Sequence, residues 1–257
     1  EASAEAGALT ERSQEALRAM CVAEFADAAH SDPATIPYPA DRLADGYLAE
    51  GEFVFEDVEN GLWAYLSDTV QVEIVRYEVP EIPRVWFVTD VQFKPDSEQF
   101  KQVKFVKAEF EDQQTYPETL AQNAGLVLGI NGDYYPYRVR KGTAVGNILR
   151  SGKVLYDMAA GDHLSYPILD TMALRDDGTL SVYSGHEVTA TGLAAEGGVH
   201  DVLSFGPYLV RDDTLRVYAG NSYDHNEPRN ASGMVEAGHY RIVTVEGRIP
   251  KGPAGVD

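Results

Sequence analysis

The fold is decided by the stretch Val85-Trp86-Phe87-Val88-Thr89-Asp90-Val91-Gln92-Phe93, in which apolar or β-branched side chains recur at every second position. A period of two is typical of a strand that buries one face. The same alternation precedes it in residues 70–74 and earlier in residues 53–55. Pro80-Glu81-Ile82-Pro83 separates the two longer runs. We therefore predict that these two runs pair as an antiparallel hairpin.

Further short strands are predicted along the rest of the chain. Turn residues separate them at Ser151-Gly152, Asp176-Asp177-Gly178 and Asp212-Asp213, and the last apolar run is Ile242-Val243-Thr244-Val245. We predict an α+β fold with mixed, mostly antiparallel sheets and a few helices, preceded by an N-terminal helix. No repeat of solenoid period is visible.

The N-terminal helix is predicted from about Thr10 to Ala29, because apolar side chains recur there at helical spacing. We expect it to pack on the body of the protein, with a solvated stalk as the alternative. Prolines between Pro33 and Pro39 end it and mark a connector. The apolar stripe consists of Leu17, Met20, Cys21, Phe25 and Ala28.

A shorter helix is predicted from the capping sequence Thr115-Tyr116-Pro117-Glu118 to Ala124, with Gly125 as its stop. It leads to the apolar run Leu126-Val127-Leu128-Gly129-Ile130, for which we predict a buried strand. That run ends at Asn131-Gly132-Asp133-Tyr134-Tyr135. An Asn-Gly pair between apolar runs also forms ordinary hairpin turns, so both a turn and a functional site are open here.

Composition bounds the function classes. The 257 residues are 44% hydrophobic and 10% aromatic, which suffices for a sizeable core. Lys and Arg number 21 against 41 Asp and Glu, so the formal net charge is −20 and the pI is about 4.6. Such a charge disfavours nucleic acid and anionic membrane surfaces as partners. No apolar run approaches the roughly 18 residues of a membrane helix, so no membrane insertion is predicted.

Cysteine usage and the first residues bear on the compartment. Cys21 is the only cysteine, which excludes an internal disulfide and a multi-thiolate zinc site. We interpret it as a small buried hydrophobe and not as a nucleophile. Because the chain begins with Glu1 and lacks a signal-peptide pattern, we expect a mature or trimmed fragment whose leader or anchor was removed. An extracellular or cell-surface location is predicted.

Asp133 is the lead candidate for chemistry, with Asn131 and the backbone of Gly132 as possible donors beside it. Arg229 follows Pro228, and its guanidinium suits bidentate binding of phosphate or carboxylate. His225 lies in a polar stretch where ligand contact or proton transfer is feasible, although most lone loop histidines are idle.

The basic cluster Arg138, Arg140 and Lys141 fits either a solvated hairpin face or a basic lip that attracts an anionic substrate. Asp176-Asp177-Gly178 is interpreted as a hairpin turn, because the other ligands of a calcium loop are missing. No metal site and no cofactor are predicted, with a divalent cation such as calcium left open. Asn230-Ala231-Ser232 fits a glycosylation sequon, but three-residue matches of this kind are frequent by chance. No nucleophile elbow, Walker loop, zinc-protease helix or dinucleotide fingerprint is present.

Taken in order, five short motifs resemble the phosphodiester glycosidase family over residues 124–248. They are residues 124–135 (Ala-Gly-Leu-Val-Leu-Gly-Ile-Asn-Gly-Asp-Tyr-Tyr), Asn147-Ile148-Leu149-Arg150-Ser151-Gly152, Ser204-Phe205-Gly206-Pro207-Tyr208-Leu209-Val210, Pro228-Arg229 and Val243-Thr244-Val245-Glu246-Gly247-Arg248. The resemblance implies a hydrolase that cleaves a sugar-1-phosphodiester at the glycosidic bond, releasing the sugar and a phosphomonoester.

The resemblance also implies roles for residues. Such a reaction needs a stabilised anomeric cation, a clamp for the phosphate and a group that manages water. Arg229 fits the clamp, and Asp133 fits a water-handling or sugar-binding role; these two are the predicted catalytic residues. The predicted substrate-binding residues are Asn131, Gly132, Tyr134, Ser204, Phe205, Gly206 and His225, with Phe205 as a sugar-stacking surface.

Two departures from the family pattern are visible. The family's Pro-Arg-Thr-x-Ile-Gly stands here as Pro228-Arg229-Asn230-Ala231-Ser232-Gly233, and its later Asn-Leu-Asp-Gly-Gly-x-Ser segment is not reached before Asp257. We therefore expect a domain truncated at its C-terminal end. Two explanations are open: the molecule is cut around residues 251–255 and a separate C-terminal fragment completes the site, or the sequence stops early. The predicted domains are 1–45 (helix and connector), 46–110 (strand-rich lead-in) and 111–257 (the phosphodiester-glycosidase-like domain).

Two interpretations from other classes stay open. The first is a non-catalytic surface module that binds glycans or phosphorylated polymers through Tyr134, Tyr135, Phe205 and Arg229. The second is a purely structural β-rich domain. The sequence favours the enzyme, with a sugar phosphodiester as its partner and substrate.

Overall fold

The computed structural model describes residues 12–16, 18–19, 26–79, 84–95, 116–134, 145–158, 169–216 and 227–247. Their contacts fall into two compact units. The first unit contains the described residues between 12 and 95 together with 227–247, and the second contains those between 116 and 216. The predicted boundaries at residues 45 and 110 stay predictions. The observed contacts group 227–247 with the strand-rich first part of the chain.

Strands dominate both units, which confirms the predicted α+β class with mostly antiparallel sheets. The described helices are α1 (Pro117–Ala124) and α2 (Ala190–Glu196). The described strands are β1 (Ala29–His30), β2 (Glu52–Asp57), β3 (Leu62–Ser67), β4 (Val70–Val79), β5 (Arg84–Phe93), β6 (Ile148–Arg150), β7 (Lys153–Tyr156), β8 (Thr171–Arg175), β9 (Leu180–Tyr183), β10 (Val199–Ser204), β11 (Val210–Arg211), β12 (Thr214–Leu215), β13 (Arg229–Glu236) and β14 (His239–Val245).

A seven-stranded antiparallel sheet builds the first unit, in the order β13-β14-β5-β4-β3-β2, with β1 paired to β4. The predicted hairpin is confirmed, because β4 and β5 pair from Val70 opposite Phe93 to Val79 opposite Arg84. Its turn, residues 80–83, lies outside the described residues. The final apolar run belongs to β14, which pairs with β5. The last hairpin of the chain therefore completes the sheet that its first half begins.

The core of the first unit follows from the alternation of side chains along the strands. Phe53 and Phe55 of β2 pack on the same face as Leu62, Ala64 and Val75. The connector covers this face through Ile36, which is 5% exposed. Asp32 starts the connector's 3-10 turn (Pro33–Thr35) by accepting a hydrogen bond from the Ala34 amide at 2.9 Å. A second cluster adds Tyr47, Leu48 and Leu66.

The N-terminal helix is confirmed in part. Residues 12–16 and 18–19 are helical. The predicted limit at Ala29 is wrong, because the chain turns at residues 26–27 and Ala29 begins β1. Ala29 and His30 gain ladder bonds opposite Glu78 and Tyr77, which a continued helix would lack. Leu17, Met20, Cys21 and Phe25 lie outside the described residues.

A five-stranded antiparallel sheet in the order β7-β6-β10-β8-β9 builds the second unit. The three predicted turns are confirmed: Ser151-Gly152 joins β6 to β7, Asp176-Asp177-Gly178 joins β8 to β9, and Asp212-Asp213 joins the small hairpin of β11 and β12. Helix α2 covers one face of the larger sheet. Its core cluster consists of Leu149, Ala173, Ala190, Leu193, Val199 and Val202.

Two local predictions around α1 are wrong. The helix begins at Pro117 with Tyr116 as its N-cap and no side-chain capping bond, whereas we predicted a capping box that starts at Thr115, a residue outside the described ones. Its stop at Gly125 is confirmed, with a left-handed φ of 61°. The run 126–130 is not a strand, and Val127 and Ile130 are 50% and 40% exposed. A strand needs a ladder partner, and no described strand pairs with this run.

Among the described residues, no helix has the length and apolarity that a membrane crossing requires.

Candidate functional site

The segment 131–134 is fastened to the end of β10 by its backbone and by one side chain. The Ser204 amide donates to Oδ1 of Asp133 at 3.1 Å, and the Tyr134 amide donates to the Ser204 carbonyl at 3.2 Å. The segment therefore occupies a fixed place on the second unit, although it is neither strand nor hairpin turn.

This segment lies on the face of the sheet opposite α2. Leu149 and Val202 point toward α2, so their successors Arg150 and Leu203 point to the other face. Both successors meet the segment there: Arg150 binds Asp133, and a Cβ built on Gly132 would come within 2.9 Å of Leu203 Cδ2. Glycine at position 132 therefore permits the close approach of the segment to the sheet.

Asp133 and Arg150 form an ion pair, called the buried pair below. Oδ2 of Asp133 accepts a hydrogen bond from Nη2 of Arg150, and the two side chains are only 8% and 9% exposed. Nη1 of Arg150 donates to the backbone carbonyls of Leu149 at 2.9 Å and of Val202. The guanidinium thus joins β6, β10 and the segment 131–134 at one point.

An aromatic stack lies beside the buried pair. The rings of Tyr134 and Phe205 have centroids 5.4 Å apart and planes inclined by 20°. Tyr134 is half-buried, while Phe205, directly after β10, is 54% exposed. Offset aromatic pairs of this geometry are favourable, and their exposed faces suit the apolar face of a sugar ring. The pairing brings the two predicted sugar-contacting aromatics together.

A polar network supports Ser204 from the α2 side. Oγ of Ser204 accepts a hydrogen bond from the Asn147 amide at 2.7 Å and lies 3.3 Å from Oγ1 of Thr171. Nδ2 of Asn147 donates to the same Thr171 oxygen at 3.1 Å. Asn147, Thr171 and Ser204 are at most 1% exposed. Buried polar groups that satisfy one another in this way specify one arrangement of the chain.

Gly146 lets this network close around Ser204. Its φ is +77°, in the left-handed region, and a Cβ there would overlap Cβ of Ser204. Any other residue at position 146 would combine an unfavourable φ with a displaced Ser204.

Asp170 holds the loop that carries Phe205 and Gly206. Its side chain is buried, with Oδ1 accepting from the Gly185 amide at 3.0 Å and Oδ2 accepting from the Tyr208 amide at 2.9 Å. The loop therefore has an anchor at each end, Ser204 and Tyr208, while the apolar side chains of Phe205 within it and Leu209 just after it are exposed.

A second carboxylate, Asp201, lies on the same sheet face as Arg150. It is fully buried, accepts from the Ser151 amide at 3.1 Å and pairs with Nδ1 of His200. Burial raises the pKa of Asp201, while the bonds from Ser151 and His200 and the charge of Arg150 oppose that rise. Arg150 thus has two carboxylate neighbours, of which Asp133 is the hydrogen-bonded one.

The structure brings most of the predicted site residues into one place. Asp133, Tyr134, Ser204 and Phe205 contact one another as described, with Gly132 against the sheet and Gly206 in the anchored loop. Asn131 precedes them and is exposed. The oxygens of Asp133 are held by Arg150 and Ser204, whereas we predicted that Asn131 and Gly132 orient this carboxylate.

Arg229 belongs to the first unit, where it begins β13 opposite Val245 and is half-buried. Its Nη1 donates to the Pro228 carbonyl at 3.4 Å. The joint action of Arg229 and Asp133 stays a prediction. The predicted residue His225, the aromatic Tyr135 and the basic residues Arg138, Arg140 and Lys141 lie outside the described residues.

Sequence reasoning missed Arg150, Asn147 and Asp170 as parts of the site, although the first two stand in a motif that carried the family resemblance. A signal was present for Arg150. It ends the strand Ile148-Leu149-Arg150, whose three residues are all buried. A cation in an apolar strand needs a buried acceptor, and Asp133 was already singled out as the lead carboxylate.

Within the described residues, no group of three or more His, Cys, Asp or Glu side chains is placed to hold a metal ion. The described part of the site offers an aromatic stack, exposed Asn131 beside it and a rigid backbone edge. Such a surface can bind a sugar ring and orient its substituents. Residues 131–134 and 204–206 contain no Lys, Arg or His, so these residues supply no positive charge for binding a phosphate.

A comparison with known proteins finds a family match that includes this site. The family described as phosphodiester glycosidase matches residues 124–257. The SPbeta prophage-derived uncharacterized protein YomE of Bacillus subtilis (strain 168) is 28% identical over 133 residues. Those residues are 51% of this chain and 20% of YomE, so the chain spans about a fifth of the length of this relative.

Proposed function

This chain belongs to the phosphodiester glycosidase family, and from this premise we propose that it hydrolyses a sugar-1-phosphodiester at the glycosidic bond. The family is one of glycosidase-type hydrolases, which agrees with the resemblance predicted from the sequence motifs. In the proposed reaction, the bond between the anomeric carbon and the phosphate oxygen breaks. Water supplies the hydroxyl group of the released sugar, and its proton goes to the phosphomonoester.

One observation carries the proposal. Separate parts of the family region, 131–134 and 204–206, meet at one edge of the second unit and present a stacked pair of aromatic rings. Aromatic faces are common sugar-binding surfaces, and backbone anchoring at Ser204 keeps this one in place.

Arg229 is proposed as the group that binds the phosphate. An arginine fork can bind two phosphate oxygens and stabilise the charge that develops on the leaving group. Asp133 stays at the site in this proposal, but both of its oxygens already have partners. That geometry favours a role in holding the sugar-binding edge over a role in activating water.

The test is incubation of the protein with a p-nitrophenyl ester of a sugar 1-phosphate in water enriched in oxygen-18. Glycosidic cleavage releases the sugar with the heavy oxygen and leaves p-nitrophenyl phosphate unlabelled. Mass spectrometry of the two products distinguishes this reaction from cleavage at phosphorus. Label in the phosphate, or no release from any of several sugar diesters, would contradict the proposal.

The matched variants are Arg229→Ala and Arg241→Ala, which remove arginines of the same hairpin, β13 and β14. Arg241 binds Asp90 at 2.6 Å and is 53% exposed. We expect Arg229→Ala to lower kcat/KM by about 100-fold or more, because a phosphate clamp is lost. Arg241→Ala should leave hydrolysis unchanged.

A non-catalytic glycan-binding module is the second candidate, and the held carboxylate of Asp133 is the observation that favours it. In that case the exposed stack would bind a glycan, measurable by calorimetry, and no product would form. We also propose an extracellular or cell-surface location, which the acidic composition favours and with which the single cysteine is compatible.

A further inference from the structure

We propose that Arg150 is a positioning residue for the sugar-binding edge, and that Asp133 acts together with it and not on water. This inference rests on the proposed function, since the edge that it concerns is the one proposed to hold the sugar. The buried pair would fix the segment 131–134 so that Tyr134 stays stacked on Phe205.

Arg150 is hydrogen-bonded both to the sheet and to Asp133. Its Nη1 binds two carbonyls of the sheet, from Leu149 and Val202, and its Nη2 binds Asp133. The sheet residues are main chain in hydrogen-bonded strands, so the guanidinium cannot shift without breaking bonds to β6 and β10. Asp133 is therefore held by a cation whose own position is fixed.

Asp133 in turn binds the end of β10. Its second oxygen accepts the Ser204 amide, and the next residue, Tyr134, donates its amide to the Ser204 carbonyl. Ser204 is followed directly by Phe205, the partner of Tyr134 in the stack. Asp133 therefore precedes one aromatic residue in the chain and binds the amide of the residue before the other, which couples the positions of both.

A gain in stability does not explain the buried pair. A buried ion pair is a weak source of stability, because desolvation of the two charges offsets most of their attraction. This pair has an additional cost, since Nε of Arg150 is buried without a hydrogen-bond partner among the described residues. Because the pair adds so little to the stability of the protein, it is better explained by the geometry that it imposes on the segment 131–134.

The surroundings of Asp133 oppose a water-handling role. A general base must reach the water that it deprotonates, and it must be free to accept the proton. The side chain of Asp133 is 8% exposed, and both of its oxygens already accept hydrogen bonds, one from Arg150 and one from the Ser204 amide. Both features oppose proton transfer and suit a fixed anion.

The experiment compares the wild type with Asp133→Asn, Arg150→Gln and the double variant, using the sugar diester above. A positioning pair predicts that each single variant lowers kcat by about 10- to 100-fold. The double variant should lose no more than the worse single variant, because the two residues act as one unit. The acid limb of the pH–rate profile should keep its wild-type midpoint in all three variants. Loss of that limb in Asp133→Asn alone, with near-normal turnover of Arg150→Gln, would assign Asp133 to proton transfer and overturn the proposal.

A second measurement does not depend on hydrolysis. Hydrogen exchange of the Tyr134 amide should become at least about tenfold faster in each variant, while amides of the β8–β9 hairpin keep their protection. Unchanged exchange at residues 131–134 would overturn the proposal even if activity fell. If the wild type hydrolyses none of the diesters, the proposed function fails, and the exchange data still decide whether the pair positions the segment.

The control variant is Glu196→Gln, which removes the exposed partner of Arg175 in the same unit, 3.3 Å away. It should change neither turnover nor exchange at Tyr134. Asp133→Asn retains the size of the side chain and an oxygen for the Ser204 amide, so it decides the outcome should Arg150→Gln fail to fold.

Discussion

Two of the arginine–carboxylate pairs in the second unit have opposite character. The buried pair, Asp133 and Arg150, joins the segment 131–134 to β6, and its side chains are 8% and 9% exposed. The exposed pair, Glu187 and Arg211, has two hydrogen bonds of 2.8 Å, yet its side chains are 38% and 34% exposed. The exposed pair has the better bidentate geometry, but the buried pair connects β6, β10 and the segment 131–134.

The difference shows that environment, not bond geometry, decides what an ion pair does. Water stabilises either member of the exposed pair when its partner is removed, so the cost of separation is small. Neither member of the buried pair has that alternative, because water has little access to them. The same chemical groups therefore give a surface contact in one place and a fixed joint in the other.

The largest expected effect is that of Arg150→Ala. It leaves the Asp133 carboxylate and the Val202 carbonyl buried without the guanidinium, which should destabilise the protein by about 3–5 kcal/mol. Arg211→Ala is the matched change in the exposed pair and should cost about 1 kcal/mol or less. Denaturant unfolding monitored by circular dichroism measures both. Equal losses of stability would show that burial does not separate the two pairs.

A smaller effect is expected for Gly146→Ala, which disturbs the support of the buried pair without removing a charge. The added Cβ must displace Ser204, and the backbone must keep a φ of +77°. We expect a destabilisation of about 1–3 kcal/mol, together with faster exchange at Tyr134. Gly152→Ala is the control, since its φ is +74° but no atom lies within 4 Å of the added Cβ. A similar loss in both would assign the effect to backbone conformation alone.

The sequence predicted the elements whose determinants are local. Alternation along β4 and β5, with prolines between them, sufficed to predict their hairpin. The turn residues between β6 and β7 and between β8 and β9 carried positive φ values or side-chain bonds that their residue types favour. For the same reason Gly125 correctly marked the end of α1.

Predictions that depended on distant partners were less successful. The run 126–130 has the apolar composition of a strand, but composition does not supply a ladder partner. The attachment of β14 to β5 joins residues far apart in sequence, and the alternation of either strand does not specify that contact. Arg150 was quoted in a motif yet not assigned, because its role depends on a contact with Asp133, 17 residues earlier in the chain.

The smallest expected effect is the pH dependence of the exposed pair. Arg211 lowers the pKa of Glu187 to about 2 from its usual 4.5, with help from the Ser184 amide. Because the folded pKa is the lower one, the ionised pair contributes stability above pH 4.5, and this contribution is lost as the pH falls toward 2. Screening by water limits it to about 1 kcal/mol or less, since both side chains are more than one third exposed. Unfolding of the wild type and of Glu187→Gln, followed from about pH 6 to about pH 2, should therefore converge at the acid end. A stability difference that persists at low pH would mean that Glu187 acts through packing and not through its charge, and the exposed pair would then resemble the buried one.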